Sequence, residues 1–308
     1  MNKKRVTVIG ATGQIGTPLT KNLLVEGHHV RILTRSRGSG NEKTLAEYVK
    51  QGAEIKVCPE MGAVADVASA LEGSDTLIAC VPGSKQIIEE FEPVWLDAAV
   101  QAGLERFVPT EFGTHSRAIE FGDGVLFDYK KRLHDKIFES DIGWTYFYNG
   151  GIFDYFLPNL RFFDEITTFG NLDLPIYTHD IEDIGRLAAL ALTDNRTLNR
   201  CVQVDFNALT QHEMLALVNK YWPDYPFVFK HYSAAYITKM KDEAGDEVTT
   251  KKGAETDRER WGINSVVYVT GKLAAFTDET IRASELYPDF VCKTPESAIS
   301  NPRFMFEE

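Results

Sequence analysis

A glycine-rich turn between an apolar strand and a helix constrains the fold of this chain more than any other feature. The segment Val6–Gly16 reads VTVIGATGQIG, with glycines at positions 10, 13 and 16. The strand predicted over 5–9 is apolar and β-branched, as in buried parallel sheets, and a helix is predicted over 17–26. The first glycine permits the sharp bend, the second lets a pyrophosphate approach the backbone, and the third lets the helix pack closely. Ordinary strand–helix turns carry similar glycines, but this context favours dinucleotide binding at the helix N-terminus.

The end of the second predicted strand indicates which dinucleotide binds. That strand covers 29–34 and is followed by Arg35. NAD-binding versions of the fold place an acidic residue near this point to bind the ribose 2′-hydroxyl. Here Arg35 and, further on, Lys43 are basic, and a guanidinium binds phosphate through two hydrogen bonds. A solvated surface position would also explain Lys43, but Arg35 at the strand end favours NADP(H) over NAD(H).

Composition and charge are typical of a soluble globular protein. The chain has 308 residues, 44% hydrophobic and 25% charged, and its 33 Lys and Arg against 45 Asp and Glu give a net charge of −12. This charge argues against nucleic acid or an anionic membrane as a partner, and no apolar run approaches membrane-spanning length. The basic start leads into the first strand and not into a signal-peptide core, so we expect a cytoplasmic protein, either a monomer or a homodimer.

The cysteines indicate neither a metal site nor a disulfide framework. They are scattered without C-x-x-C spacing, at Cys58, Cys80, Cys201 and Cys292. We therefore expect small, buried or half-buried free thiols in a reducing compartment, and no bound metal.

Strands and helices are predicted to alternate along the first half of the chain. Further strands are predicted over 53–57, 76–80, 106–109 and 144–148, and helices over 64–71, 85–102 and 128–140. This alternation of strands and helices is typical of a doubly wound parallel sheet with right-handed crossovers. The fold class is therefore α/β, an NAD(P)-binding Rossmann fold. Such folds bind ligands at the carboxyl ends of their strands, where Val81, Pro82 and Gly83 follow the fourth strand.

The alternation loosens after about Gly150, where a smaller lobe is predicted. We assign residues 1–150 to the NADP-binding Rossmann domain and 151–308 to a C-terminal substrate-binding lobe, with elements near 175–210 returning to the core. The remaining predicted elements are a helix over 181–192 opened by Asp180, a strand over 201–204, a helix opened by a capping box of Thr210 and Glu213, and an exposed helix and loop over 239–260.

One lysine lies on the predicted helix that precedes the strand over 144–148, where it could reach the nicotinamide. The Tyr-x-x-x-Lys motif of short-chain dehydrogenases occurs at Tyr268 and Lys272, far past the nucleotide-binding sheet, and we interpret it as chance. In the helix before the strand over 144–148, Lys130 has no tyrosine four residues earlier. A desolvated lysine beside the nicotinamide could bind ribose and act as general acid or base. The alternative is a solvated helix face over Lys130–Arg132.

These motifs together resemble the NmrA-like, isoflavone-reductase-like group of atypical short-chain dehydrogenases. That group includes phenylcoumaran benzylic ether reductases and pinoresinol–lariciresinol reductases. The resemblance runs essentially end to end and rests on the glycine motif, on Arg35 with Lys43, on Gln86, and on the GLERFVPTEFG segment over 103–113. Lys130 matches the family's single catalytic lysine, and the missing tyrosine is normal there.

The resemblance implies an NADPH-dependent reductase of an aromatic, phenylpropanoid-like molecule, with Lys130 as general acid or base. It assigns the cofactor site to Gly10, Thr12, Gly13, Gln14, Ile15, Gly16, Arg35, Lys43, Val81, Pro82, Gly83, Gln86, Phe112, Lys130 and Asn149. It assigns substrate contacts to Phe153, to Tyr155 or Phe156, and to His134, for which a structural role is the alternative.

Two other functions stay open at this point. Some relatives bind NADP(H) and report redox state to a protein partner without turnover; the cofactor motifs fit both roles, whereas Lys130 and the aromatic segment favour the enzyme. Epimerase or dehydratase chemistry with tightly held NAD⁺ is disfavoured by the absent tyrosine and by Arg35. The segment Tyr148–Asp154, with its two consecutive glycines, departs from the family pattern, so a particular plant substrate cannot be transferred.

Overall fold

The computed structural model describes residues 3–36, 38, 40–249 and 255–307. The strands, in chain order, are β1 (Arg5–Ile9), β2 (His29–Thr34), β3 (Glu54–Val57), β4 (Thr76–Ala79), β5 (Arg106–Val108), β6 (Gly143–Tyr148), β7 (Gly151–Ile152), β8 (Ile166–Phe169), β9 (Ile176–His179), β10 (Arg200–Gln203), β11 (Ala208–Leu209), β12 (Phe229–Tyr232) and β13 (Thr280–Arg282). The helices are α1 (Gly16–Val25), α2 (Glu42–Lys50), α3 (Val64–Leu71), α4 (Glu92–Gln101), α5 (Val125–Glu139), α6 (Phe153–Phe156), α7 (Ile181–Ala191), α8 (Gln211–Tyr221), α9 (Ala234–Glu243), α10 (Asp257–Tyr268), α11 (Ala283–Leu286), α12 (Pro295–Ile299) and α13 (Pro302–Phe306).

Eight parallel strands form the central sheet, in the order β13-β10-β6-β5-β4-β1-β2-β3. One apolar core joins the sheet to α3, α4 and α5, and a second joins it to α1, α2 and α7. Helices therefore cover both faces, which explains why β4 is buried along its whole length. The strand order reverses between β1 and β4, the switch point where doubly wound sheets bind ligands. The predicted α/β Rossmann fold is confirmed.

The helix predicted over 85–102 is not continuous. Its first part is a π-helical turn, Ile87–Phe91, which leads into α4. Pro93 lies in the first turn of α4, and without an N–H it cannot donate to the carbonyl of Glu89, four residues earlier. The wider π turn accommodates that missing bond, so the prediction of a single helix was wrong in this detail.

Helix starts inside the second half follow their sequence signals. The Asp180 side chain accepts a hydrogen bond from the Glu182 N–H at the start of α7. Thr210 and Glu213 form the predicted capping box at the start of α8. Both predictions are confirmed. Each cap stabilises its helix because it satisfies first-turn amides that have no partner within the helix.

The second half of the chain forms small sheets and also extends the main one. β11, β9 and β7 form a three-stranded sheet, and β12 pairs in parallel with β8. α7 packs on α1 and β10 pairs with β6, so elements near 175–210 do return to the core. β13 also joins the main sheet, although its three half-buried residues gave no strand signal. The boundary at residue 150 stays a prediction.

The charged segment over 239–260 is only partly exposed. It contains the end of α9 and the start of α10; residues 250–254 lie outside the described residues. Glu259 is buried, and its carboxylate accepts a hydrogen bond from the Lys85 N–H at 3.3 Å. This segment therefore contacts the region that follows β4, which the interpretation as a wholly exposed helix and loop did not predict.

The cysteines are free thiols, as expected. Cys58, Cys80 and Cys201 are buried, and Cys292 is half-buried. Burial raises the pKa of the Cys80 thiol to about 12, so it stays protonated and packs as a small apolar group. As a separate finding, none of the helices in the described residues is both long and apolar enough to cross a bilayer.

Close contact between α1 and α7 depends on a glycine. A Cβ added at Gly185 would lie 2.4 Å from the Pro18 Cβ and 2.6 Å from the Pro18 carbonyl carbon. Real atoms do not approach so closely, so any larger residue would force the two helices apart. Since α1 begins at the glycine-rich turn, this contact also fixes the orientation of that turn.

Replacing Gly185 with alanine should therefore destabilise the protein. Overpacking typically costs about 1–3 kcal/mol, which exceeds the gain of up to about 1 kcal/mol from the higher helix propensity of alanine. We expect Gly185→Ala to lower the free energy of unfolding in urea. Gly62→Ala is the matched control, because a Cβ there meets only Phe91, at 3.8 Å. Equal stability of the two variants would contradict the steric argument.

Candidate active site around Lys130

The glycine-rich turn has the geometry that its sequence predicted. Gly10 has a φ of +83°, and a Cβ there would lie 2.1 Å from the carbonyl oxygen of Cys80 at the end of β4. A Cβ on Gly16 would lie 2.0 Å from the Gly10 oxygen. Gly13 is exposed, and no side chain caps the first amides of α1. The turn is thus a bare backbone cradle that fits a pyrophosphate.

Two predicted phosphate-binding side chains come from the end of β2, the strand next to β1, and from the helix that follows it. Arg35 directly follows β2 and Lys43 is in the first turn of α2, and both are exposed. Neither forms a salt bridge with another residue of the described ranges, unlike Arg31, which binds Glu54 at 2.9 Å. An unpaired guanidinium and an unpaired ammonium fit a phosphate ester at this edge.

Three further segments meet the turn at the carboxyl edge of the sheet. The first follows β4 and contains Val81, Pro82, Gly83 and Gln86. The second follows β5, where the Thr110 hydroxyl donates to the Val81 carbonyl and the ring of Phe112 lies 5.8 Å from that of Phe147. The third follows β6 and begins with Asn149. Parallel strands end on one side, so the segments that carry these predicted cofactor residues share one edge of the sheet.

Lys130 projects from α5 into the protein interior. Only 6% of the residue is exposed. Its Nζ donates to the Glu111 main-chain oxygen at 2.9 Å and to Glu111 Oε2 at 3.1 Å. The interpretation as a solvated Lys-Lys-Arg face is therefore wrong for Lys130, whereas Arg132 is exposed and binds Glu89.

Glu111 is the centre of a buried hydrogen-bond cluster. Its Oε2 also accepts from the Ser116 hydroxyl at 2.8 Å, and its Oε1 lies 2.6 Å from His134 Nε2. Ser116 in turn contacts the Tyr148 hydroxyl at 3.1 Å. Burial alone would raise the pKa of Glu111, but Lys130, His134 and Ser116 outweigh burial and lower it to about 2. The carboxylate is thus ionised at every physiological pH.

A second buried carboxyl, Glu92, lies close by on α4. Its Oε1 accepts the Thr110 N–H at 2.7 Å. Burial raises the pKa of Glu92 to about 8, and the negative charge of Glu111 adds to this rise, whereas the Thr110 N–H and Lys130 oppose it. Glu92 is therefore predominantly protonated at neutral pH, which leaves Lys130 and Glu111 as a neutral ion pair.

Hydrogen bonds between the His179 ring and the main chain fix the residues around Asn149. His179 Nδ1 donates to the main-chain oxygen of Asn149 at 2.9 Å, and the main-chain N–H of Asn207 donates to His179 Nε2 at 3.2 Å. Burial lowers the pKa of His179 to about 4, so the ring is neutral and holds its proton on Nδ1. The Asn149 side-chain oxygen is buried without a partner in the described part of the chain. Such an acceptor suits a ligand amide.

The predicted substrate residues do not share one surface. Phe153 is buried in an apolar core of residues between 153 and 306, Phe156 stacks on Tyr268 with ring centres 6.2 Å apart, and His134 faces Glu111. Tyr155 is exposed, and its hydroxyl donates to Gln14 Oε1 of the glycine-rich turn at 3.1 Å. The substrate roles of Phe153, Phe156 and His134 stay predictions.

Sequence reasoning missed the buried polar groups around Lys130. Glu111 lies inside the TEFG segment that carried the family resemblance, so its position was visible and its contact was not. Ser116 and Glu92 carried no signal, because an isolated serine and one glutamate in an acidic helix look like surface residues. The Tyr268 and Lys272 spacing is chance, as expected: Tyr268 is buried against Phe169, and Lys272 binds Asp123 at 2.6 Å.

Known proteins resemble this chain along most of its length. The model of the NmrA-like family matches residues 2–240. A phenylcoumaran benzylic ether reductase of Ginkgo biloba is 30% identical over 311 residues, covering 94% of this chain and 95% of that protein. A bifunctional pinoresinol–lariciresinol reductase of Linum usitatissimum is 31% identical over 240 residues, covering 71% of this chain and 72% of that protein.

Solved structures show the same fold. The leucoanthocyanidin reductase of Vitis vinifera in complex with NADPH superposes with a TM-score of 0.79 at 21% identity, covering 96% of this chain and 98% of that one. A structure from a study of pinoresinol–lariciresinol and phenylcoumaran benzylic ether reductases superposes with a TM-score of 0.82 at 22% identity, covering 97% and 99%.

Glu92→Gln should change how stability depends on pH. A carboxyl whose pKa rises on folding, here from 4.5 to about 8, stabilises the fold below pH 4.5 and loses that contribution as the pH rises towards 8. Urea unfolding should show wild type losing about 2–4 kcal/mol relative to Glu92→Gln between pH 5 and pH 8. The control Glu90→Gln, at an exposed site on the same turn, should follow wild type. Parallel curves for wild type and Glu92→Gln would refute the assignment.

Proposed function

The chain belongs to the NmrA-like family, and on that premise we propose that it is an NADPH-dependent reductase in which Lys130 handles the proton. The observation that carries the proposal is the burial of Lys130 against Glu111, at the strand edge that also bears the glycine-rich turn. A surface lysine would not need a dedicated buried carboxylate. A charged lysine in the interior of a site is the kind of group that general acid–base catalysis uses.

Several features support NADPH as the cofactor. The turn around Gly13 would hold its pyrophosphate, and Arg35 with Lys43 would hold its 2′-phosphate. The side-chain oxygen of Asn149 has no partner among the described residues, so it is an available acceptor at the same edge. When bound, NADPH supplies a hydride from the nicotinamide C4. The Vitis vinifera reductase, which shares the fold, was solved with NADPH.

Lys130 is positioned to exchange one proton. Its ammonium has three N–H donors, and two of them are bonded to the Glu111 carbonyl and carboxylate. The third N–H is left for a ribose hydroxyl, a water molecule or the reacting substrate. Glu111 fixes where Nζ lies, so the proton is delivered to a defined point and not to a range of positions.

The substrate class follows from the relatives. Those with about 30% identity are named for phenylcoumaran benzylic ethers and for pinoresinol and lariciresinol, which are aromatic phenylpropanoid compounds. We propose an aromatic molecule of this general kind for the present chain, bound between the strand edge and the lobe. The exposed ring of Tyr155 and the half-buried ring of Phe156 are the aromatic side chains of α6 available for stacking.

Lys130→Met should abolish turnover without abolishing cofactor binding. We expect NADPH oxidation with phenylpropanoid, flavonoid, quinone and enone compounds to fall by about 10²–10⁴-fold, because the proton donor is lost. NADPH binding, followed by fluorescence, should persist. Lys136→Met, at an exposed site on the same helix, is the control and should remain active. Tight NADPH binding with no turnover by wild type on any compound would instead favour an NADP(H)-binding sensor.

Arg35→Ala should weaken NADPH binding selectively. Loss of a charge-assisted contact to the 2′-phosphate costs about 1.5–3 kcal/mol, so Kd should rise roughly 10- to 100-fold. The Kd of NADH, which lacks that phosphate, should hardly change. Lys50→Ala, at the far end of α2, controls for a general loss of positive charge. An equal effect of Arg35→Ala on both cofactors would place the 2′-phosphate elsewhere.

A further inference from the structure

Lys130 and His134 bind the two oxygens of one carboxylate. They are four residues apart on α5 and therefore lie on the same helix face. Lys130 Nζ binds Glu111 Oε2 at 3.1 Å, and His134 Nε2 lies 2.6 Å from Oε1. The three side chains form a continuous hydrogen-bonded line, His134 to Glu111 to Lys130. All three are at least nine-tenths buried.

The His134 end of this line reaches a small surface hollow. The hollow has a volume of about 150 Å³, enough to hold water. It is lined by Arg117, Phe121, Lys131, His134 and Asp135. Arg117 and Phe121 follow β5, and the other three residues are on α5. The hollow therefore lies at the His134 end of the cluster, and its lining includes no residue of the glycine-rich turn or of the segments that follow β4 and β6.

We propose that His134 and Glu111 form a proton relay that carries a proton from this hollow to Lys130. The proposal rests on the reductase function proposed above, because a relay is needed only if Lys130 gives up its proton. In the proposed function, cofactor and substrate would cover Lys130 during turnover. A route through the His134 end of the cluster recharges the lysine before they are released.

The relay moves one proton and leaves every residue in its starting state. After Lys130 gives a proton to the substrate, its amine is neutral. His134 Nδ1 takes a proton from a hydronium ion in the hollow, and the resulting imidazolium passes its Nε2 proton to Glu111 Oε1. The carboxyl group then turns so that this proton reaches Nζ, which restores the carboxylate and the ammonium. The ring is left neutral with its proton on Nδ1, and tautomer exchange through water in the hollow restores Nε2–H. No bond between heavy atoms changes, and the one proton consumed comes from the solvent.

The groups around His134 fix the orientation of its ring and include both positive and negative side chains. Tyr146 of β6 stacks on the ring, with ring centres 4.3 Å apart, which keeps Nε2 directed at Glu111. The other charged or titratable groups around it are Glu111, His115 and Arg117 from the segment after β5, and Lys130, Lys131 and Asp135 from α5. A structural histidine needs only the stack and the bond to Glu111, and it does not need the hollow.

The first test needs no substrate. In protein labelled with ¹⁵N-histidine, the exchange of ring N–H protons with water is measured for His134 and for His179. Both rings are buried, but both nitrogens of His179 are bonded to main-chain groups. We expect the His134 proton to exchange at least about tenfold faster, because the hollow gives water access to its ring. Equal protection of the two rings would overturn the relay.

The second test separates proton transfer from positioning. His134→Gln retains an N–H that can bond to Glu111 but cannot pass a proton on. With pinoresinol or a quinone as probe, steady-state kcat should fall about tenfold or more, while the first turnover of an NADPH-loaded enzyme, which uses the proton already on Lys130, should be unchanged. His134→Ala should regain activity with added imidazole, and Lys130→Met should not. His212→Gln, at an exposed histidine of α8, is the control.

The outcomes distinguish the relay from the function on which it rests. Full steady-state activity of His134→Gln, or a loss in the first turnover equal to the loss in steady state, would overturn the relay and leave the reductase in place. Failure of wild type to oxidise NADPH with any compound would overturn the reductase, and the exchange measurement would still decide whether the hollow supplies protons to His134. If His134→Ala does not fold, His134→Gln carries the test.

Discussion

The arrangement around Lys130 depends on one constraint, which is that the carboxylate of Glu111 is ionised inside the protein. Burying an unpaired charge costs several kcal/mol, and removing one partner of a buried pair typically costs about 3–5 kcal/mol. Glu111 is stabilised by Lys130 and His134 from α5 and by Ser116 from the segment after β5. Each partner comes from the main fold and none from the lobe, so assembly of the sheet and α5 brings the site together. The position of Nζ is thus set by the same packing that stabilises the domain.

The pKa values of two buried carboxyl groups near Lys130 are shifted in opposite directions because their hydrogen-bond partners differ. Glu111 has a cation, an imidazole and a hydroxyl within hydrogen-bond distance, and its pKa falls to about 2. Glu92 has a single main-chain N–H and a negative neighbour, and its pKa rises to about 8. One cation can neutralise only one carboxylate, so the second is held as the neutral acid. Two carboxyl groups of the same chemistry thus have different protonation states because their surroundings differ.

The sequence predicted what depends on local pattern, and it failed where distant segments meet. The strands over 29–34 and 76–80 and the helix over 64–71 were visible as apolar runs with the correct period, and Gly10 and Gly16 occupy the tight positions that their spacing indicated. The π turn before Pro93 was missed, because a proline in the first turn of a helix usually marks a start and not a widened backbone. Lys130 and His134 were placed on one helix face by their spacing. That both bind Glu111 depends on how the segment after β5 crosses α5, which no window of sequence encodes.

The two parts of the proposed site are held by contacts of different strength. The Glu111 cluster is buried, and each member is held by at least one charged or aromatic neighbour. The lobe meets the glycine-rich turn through the exposed bond from Tyr155 to Gln14, and a bond of that kind contributes only about 0.5–1.5 kcal/mol. In the proposed function, a ligand that enters between the turn and the lobe replaces this bond at little cost. Proton handling would then rest on the sheet and α5 and ligand recognition on the lobe, so a substitution in the lobe would change the substrate without moving Lys130.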